Sequence, residues 1–170
     1  MTTKAAPFKL TNLNKSVASA LSNLKVLIRD KKDKVEVEHL SSLEADRVQM
    51  VQLFQNLIRN GLKFQQEGGA PLIKIHASPV GKNNKIDAYT IFVDDNGIGF
   101  DDKYLDRIFA PFQRLHGRSE DEGVGMGLVI CKKIIERHGG EITAKSAPGK
   151  GTSFIVTLPL SQKKRGVGRG

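Results

Sequence analysis

The chain has 170 residues, a hydrophobic content of 39%, a net charge of +9 and one cysteine, Cys131. That length fits one domain with its own core. A lone cysteine in an apolar run excludes an internal disulfide framework and reads as a buried structural residue in a reducing compartment.

No apolar run approaches the ~20 residues of a membrane span, and the N-terminus lacks the apolar stretch of a signal peptide. A cytoplasmic segment without membrane contact is therefore expected. Four of the positive charges fall within Lys163–Gly170, a tail without apolar periodicity that reads as disordered. Aromatic residues are not interleaved with the basic ones, so no nucleic-acid stacking platform is expected. Nucleic-acid binding through the tail stays open as a minor alternative, with steep salt dependence as its signature.

Residues 1–7 read as an N-terminal extension, 8–160 as the domain and 161–170 as the basic tail. Phe8-Lys9-Leu10 suggests a short strand, and Thr11 or Asn12 can cap the helix that follows. Leu13, Val17, Ala20, Leu21, Leu24, Leu27 and Ile28 recur at helical spacing up to a charged turn at 30–33. Val35–Glu38 alternates as a half-buried strand, and Leu40 to Leu43 is ambiguous. A second helix is predicted over 46–64, with Met50, Val51, Phe54, Leu57, Ile58 and Leu62 on its apolar face.

Leu72–Ala77 and Ile86–Val93 read as a hairpin looping near Gly81. Tyr104, Leu105 and Ile108 suggest a short helix, ended by Pro111, and the polar stretch after it reads as a mobile functional loop. Gly123-Val124-Gly125-Met126-Gly127-Leu128 opens a helix over Val129–Arg137. Glycine closes that helix as C-cap, and His138 complements its dipole. Glu141–Ser146 and Thr152–Leu158 are strands joined by a tight turn at Pro148–Gly151. Helices and strands do not alternate strictly. The predicted class is an α/β (α+β) two-layer sandwich: a mixed, mostly antiparallel sheet of about five strands, with three main helices on one face.

Three features carry chemistry. Ile91-Phe92-Val93-Asp94-Asp95-Asn96-Gly97-Ile98-Gly99 delivers a carboxylate at a strand end beside a glycine turn. A tight surface turn is the plain alternative, because Asp-Asn-Gly is common turn chemistry. On the second helix Gln52, Asn56, Asn60 and Lys63 share a sector of roughly 80°. Asn is a poor interior helix former, and a merely solvated face more often shows Glu and Lys. The glycine run at 123–127 begins a helix whose free N–H groups suit phosphate. The spacing is neither a Walker motif nor the dinucleotide fingerprint. A bound nucleotide would use all three features: the acid for the base, the amide oxygens for a hard cation, the glycines for phosphates.

With these features the sequence resembles the ATP-binding catalytic domain of sensor histidine kinases, in the GHKL superfamily, over roughly residues 8–160. Asn56–Phe64 matches the N box, Asp95–Gly99 the first glycine box and Ile108–Phe112 the F box; Gly123–Leu128 matches the second glycine box and Gly149–Phe154 the third. The segment Phe112–Arg118 is similar to the lid of phytochrome-like and other PAS-linked kinases.

The resemblance implies ATP and Mg²⁺ as cofactors. By it, Asp95 accepts the adenine amino group, and Gly97 and Gly99 line the base pocket, with Thr152 in support. Asn56 holds Mg²⁺ and Asn60 meets the nucleotide or its metal-bound phosphates. Lys63 and the lid's Arg114 meet phosphate charge, and Phe64 packs near the base or ribose. Phe109, Gly123, Gly125, Met126, Gly127 and Leu128 complete the nucleotide set, and Asn56, Lys63 and Arg114 serve the transfer itself.

Two departures stand out: Gly61 follows Asn60 where the family usually has Ala, and Val124 replaces the usual Thr. Gln52 occupies the position where topoisomerase, mismatch-repair and heat-shock-chaperone relatives carry a Glu general base. Gln cannot take a proton, which implies ATP binding without efficient hydrolysis.

His39, His76, His116 and His138 lack the context of a phosphoacceptor. The implied partners are therefore a dimerisation domain bearing the histidine, in cis or trans, and indirectly a response-regulator receiver. The isolated domain is expected to be monomeric. A non-catalytic nucleotide-binding or regulatory module of the same superfamily is the alternative.

Overall fold

Alternating apolar residues and two strongly amphipathic helices set up a one-faced sheet. The structure, a computed structural model, describes residues 5–25, 34–66, 69–110 and 122–162, with the backbone alone for residues 122–126. The predicted helical residues Leu27 and Ile28, the charged turn at 30–33, the lid with Arg114 and the tail from Lys163 lie outside the described residues.

β1 (Lys9–Asn12) runs into α1 (Leu13–Asn23), with Asn12 as N-cap accepting from the N–H groups of Asn14 and Lys15. After β2 (Lys34–Val37), the ambiguous segment becomes β3 (Ser42–Ala45), paired antiparallel with β1 in a small two-stranded sheet. α2 spans Arg47–Lys63. The hairpin is longer than its alternation suggests: β4 is Leu72–Lys82 and β5 is Lys85–Asp95. Asn83 and Asn84, at φ 52° and 64°, form its turn, as a two-residue type I′ connection requires. A 3-10 turn, Asp102–Tyr104, stands where a short helix was predicted. α3 is Glu122–Arg137, β6 is Glu141–Ser146 and β7 is Thr152–Pro159.

The main sheet has the order β2-β4-β5-β7-β6; the β2–β4 pair is parallel and the others antiparallel. Ile73, Ile75, Ile91, Val93, Phe154, Val156 and Leu158 point to one face and are buried against the helices. There they meet Leu13, Val17 and Ala20 of α1, Leu53, Phe54, Leu57 and Ile58 of α2, and Leu128, Cys131, Ile134 and Ile135 of α3. The expected two-layer sandwich is what forms. The glycine run lies in the first turns of α3 rather than ahead of it. Helix propensity is a weak prior, and the periodic Leu128–Ile135 face carries the helix.

A polar clasp fixes the far ends of α2 and α3. Asp46, fully buried, caps α2 by accepting the Gln49 N–H at 3.1 Å, and its other oxygen takes Arg137 at 2.8 Å and the Ala6 N–H at 2.7 Å. Arg137 also donates to Gln49 Oε1 and Ala6 O, and its guanidinium lies 4.5 Å from the centre of the Phe8 ring. Gln162 donates to His138 O at 2.6 Å. Ala6 and Gln162, both outside the 8–160 span expected for the domain, thus bond into it.

His138 does not serve the helix dipole as a cation. It is buried, its Nδ1–H donates to Ile134 O at 2.7 Å, and its Nε2 accepts the Asp46 N–H at 3.0 Å. Burial, the largest influence, holds its imidazole below the usual value, with the Arg137 charge acting the same way. The ring therefore works as a neutral bridge between α3 and the start of α2. An unfolded chain takes this proton near pH 6.5 and the folded chain only at lower pH, so stability falls as pH drops below about 6.5.

Burial pushes Asp46 up, but the hydrogen bonds from Ala6, Gln49 and Arg137 outweigh it and hold the carboxyl below its usual value. Its contribution is present above pH ~4 and is lost as pH falls through the folded value. Asp46→Ala removes the cap and leaves three donors unmatched, so urea unfolding should show a loss of about 2–3 kcal/mol. A change under ~0.5 kcal/mol would show that the clasp holds nothing.

Candidate nucleotide site

Alternation along β5 separates the two acids. Asp94 lies on the outer face, where it accepts from Ser153 Oγ and pairs with His76 Nε2 at 2.8 Å. Asp95 faces the helices, opposite Ile73 in the β4 register. Its Oδ1 accepts the N–H of Gly97 at 2.8 Å and of Thr152 at 3.3 Å. Burial pushes its carboxyl up to about 6, and the Asp94 charge adds to the rise against the pull of the two N–H groups. Both donors meet one oxygen, which leaves Oδ2 for a donor from a ligand.

Glycine makes this packing possible. A side chain on Gly151, at φ +81°, would stand 2.0 Å from Asp95 O. A Cβ on Gly61 would stand 3.1 Å from Asp95 Cβ and 2.9 Å from Ile73 Cδ1. That contact explains the departure from the family's usual Ala: α2 lies against β4 and β5 at the point where the acid sits, and the bare Cα of Gly61 lets it. Gly97 packs on Phe64 O and Gly99 on Ala147 O.

On α2, Asn56 Nδ2 donates to Gly127 O at 3.5 Å, bringing the N box and the second glycine box together. Asn60 Oδ1 is buried and has no hydrogen-bond partner among the described residues. An unmatched buried acceptor costs about 1–3 kcal/mol, so the site is unsatisfied until a donor or cation arrives. Lys63 Nζ lies 5.6 Å over the Phe64 ring, and Phe64 O accepts the Ile98 N–H, joining the end of α2 to the first glycine turn.

The other predicted residues divide. Thr152 lies at Asp95, and its Oγ1 is 2.8 Å from Ser146 Oγ. Leu128 is buried in the core, and Phe109 lies edge-on to Phe154, 6.4 Å between ring centres. Gly123, Gly125 and Met126 lie in the first turns of α3, where free backbone N–H groups suit an anion. Arg114 lies outside the described residues. Cys131 is fully buried and burial pushes its thiol up to about 12, so it carries no chemistry.

Among the described residues no cluster of three or more His, Cys, Asp or Glu could hold a metal. The available donors are side-chain amide oxygens. That set fits a hard cation that completes its shell with water and ligand phosphates, as Mg²⁺ does, and does not fit a metal resident on its own.

Two participants escaped the sequence reading. Ser146 Oγ accepts the Phe100 N–H at 2.8 Å and meets Gly151 O at 2.9 Å, steadying the turn behind Asp95. Gln66 reaches both glycine turns. Neither matches a motif; long-range bonding to backbone carbonyls leaves no periodic signal.

Gly151→Ala should fold poorly, because an L side chain at φ +81° with a carbonyl 2.0 Å away forces the backbone aside. Denaturant unfolding is expected to show a loss of at least ~2 kcal/mol. Parent-like stability would mean the turn at Asp95 is slack.

Known proteins share the sequence and the fold. Residues 45–162 match the family described as histidine kinase-, DNA gyrase B- and HSP90-like ATPase. The phytochrome-like protein Cph1 of Synechocystis sp. is 44% identical over 158 residues, which are 93% of this chain and 20% of that protein. Cyanobacterial phytochrome A of Nostoc sp. is 44% identical over 163 residues, 96% of this chain and 20% of that protein. This chain thus spans about a fifth of the length of these relatives. Among solved structures, the nucleotide-free catalytic domain of histidine kinase ThkA superimposes with a TM-score of 0.73 at 28% identity, covering 94% of this chain and 100% of that one. With the family match over most of its length, the fold of a histidine kinase catalytic domain and the acid, amide stripe and glycine turns in place, the chain belongs to the histidine kinase-, DNA gyrase B- and HSP90-like ATPase family.

Proposed function

We propose that this chain binds Mg-ATP and donates the γ-phosphoryl group to a histidine on a separate dimerisation domain, in cis or trans, for relay to a response-regulator receiver. The observation that carries the reading is the Asp95 carboxylate: half-buried, pushed up to about 6 and held, among the described residues, on one oxygen. An adenine amino group donating to Oδ2 relieves a charge that the fold itself disfavours.

In this reading Gly97, Gly99 and Thr152 shape the base pocket, and Phe64 packs beside base or ribose. Asn56 would hold Mg²⁺, and Asn60 would meet the nucleotide or its metal-bound phosphates. Bound Mg²⁺ would neutralise phosphate charge. Lys63 and Arg114 add positive charge at the phosphates, and the first turns of α3, with Gly123, Gly125 and Gly127, offer backbone N–H groups. The chain's part in the reaction is positioning and charge neutralisation: the acceptor nitrogen forms a bond to the γ-phosphorus as the bond to the ADP oxygen breaks.

Gln52 supplies no general base toward water, which favours transfer over hydrolysis. No helix among the described residues is long and apolar enough to cross a membrane, and we place the reaction in the cytoplasm, where ATP and reduced thiols coexist.

Incubation with labelled ATP, Mg²⁺ and a histidine-bearing dimerisation domain should label that domain with an acid-labile phosphate. ATP binding without transfer would favour a non-catalytic nucleotide-binding module. Asp95→Ala should weaken ATP binding about ten- to a hundredfold by calorimetry, the worth of one hydrogen bond to a charged group; unchanged affinity would remove the adenine assignment. Because Asp95 binds its proton near pH 6 in the free fold, ATP affinity should fall about tenfold between pH 7 and pH 5. Asp95→Asn should lack that part of the slope.

A further inference from the structure

We infer that Gln66 is a positioning residue of the base pocket, fastening together the two turns that hold Asp95. It rests on the nucleotide reading above and adds a residue that none of the motifs contains. Gln66 follows the end of α2. Its Nε2 lies 3.0 Å from Gly97 O, 3.0 Å from Gly149 O and 3.3 Å from Asn96 O. An amide has two N–H donors, so the three carbonyls share them.

Two of those carbonyls belong to the turn after Asp95, whose Gly97 N–H holds the carboxylate. The third opens the turn that leads to Thr152, the other N–H on the same oxygen. Backbone bonds run alongside: Ile98 N–H to Phe64 O at 3.0 Å and Gly149 N–H to Ile98 O at 2.7 Å. The spacing of the two donors on Asp95 therefore depends on how tightly the turns are tied, and the Gln66 amide ties them from the solvent side.

The bonds to Asn96 O and Gly149 O are exposed, so water replaces them readily when the side chain is removed. Folding then loses little, whereas the turns lose their fixed separation. Replacing the donor by an acceptor sharpens the contrast. Gln66→Glu has the same shape but sets a carboxylate oxygen against three carbonyl oxygens. Gln66→Lys restores a donor of similar reach.

The test combines hydrogen exchange on the nucleotide-free protein with ATP titration and transfer kinetics. Gln66→Ala should speed exchange at the Ile98 and Gly149 amides at least threefold while leaving β6 and β7 and the urea midpoint unchanged. It should raise the ATP Kd and KM three- to tenfold, with kcat changed less than twofold. Gln66→Glu should exceed it in both readouts, and Gln66→Lys should return within about twofold of the parent.

Parent-like exchange and affinity in both Gln66→Ala and Gln66→Glu would overturn the inference, and so would equal loss of stability and affinity in all three variants. If the parent itself failed to bind ATP, the nucleotide reading would fall, and the exchange measurement alone would still decide whether Gln66 ties the turns.

Discussion

The structure is arranged around one carboxylate held partly out of water. Asp95 ends the central strand β5, flanked by β4 and β7, and lies half-buried on the face that carries the helical layer. Burial disfavours ionising it there and pushes its carboxyl up to about 6, and among the described residues two backbone N–H groups offset the cost. The neighbouring glycines follow from that placement. Gly61 lets α2 press against the acid from the helix side, and Gly151 lets the third glycine turn bring the Thr152 N–H within reach. A charge that is tolerated yet under-solvated is a receptor for a hydrogen-bond donor, and the Asn60 oxygen, without a partner among the described residues, is a second unmet demand. A ligand with an amino group at one end and a metal-bound anion at the other satisfies both.

Such a pocket works only if α2 and α3 hold their offset from the sheet, and the clasp at the other end supplies this. Asp46 caps α2, Arg137 closes α3, and neutral His138 bridges them while Phe8, Ala6 and Gln162 bind the outer strands of chain to the same point. The Asn56 contact to Gly127 then joins the two helices again at the ligand end. The helical layer is thus tied by polar contacts near both ends, with the apolar stripe of Phe54, Leu57, Ile134 and Ile135 between them.

Much of this was legible in the sequence where a period or a cap carried it. Alternation placed β5 and β7 and separated Asp94 from Asp95; Thr11 or Asn12 was legible as the cap of α1, and the Asn56–Asn60 stripe pointed to the candidate site. What was hidden has physical reasons. β3 is four residues long and its partner β1 is some thirty residues away, so neither has a period of its own. The glycine run hid the first turns of α3 because propensity yielded to tertiary packing. His138 followed the local rule for a helix end, while its actual environment comes from Asp46, 92 positions away. Gln66 is invisible for the same reason: an amide bridging three distant carbonyls leaves no spacing to read. Gly61 ran the other way, as a visible irregularity whose cause, the nearness of Asp95, needed the fold.

The central claim is that Asp95 reads an amino group on a purine. Calorimetric titration of the chain with ATP and with GTP, at pH 7 in Mg²⁺, tests it most directly, because the two differ at the ring position that meets the acid. An amino group there donates to Oδ2, and a carbonyl oxygen repels it. The account predicts that GTP binds at least tenfold more weakly than ATP; equal affinities for the two nucleotides would contradict it.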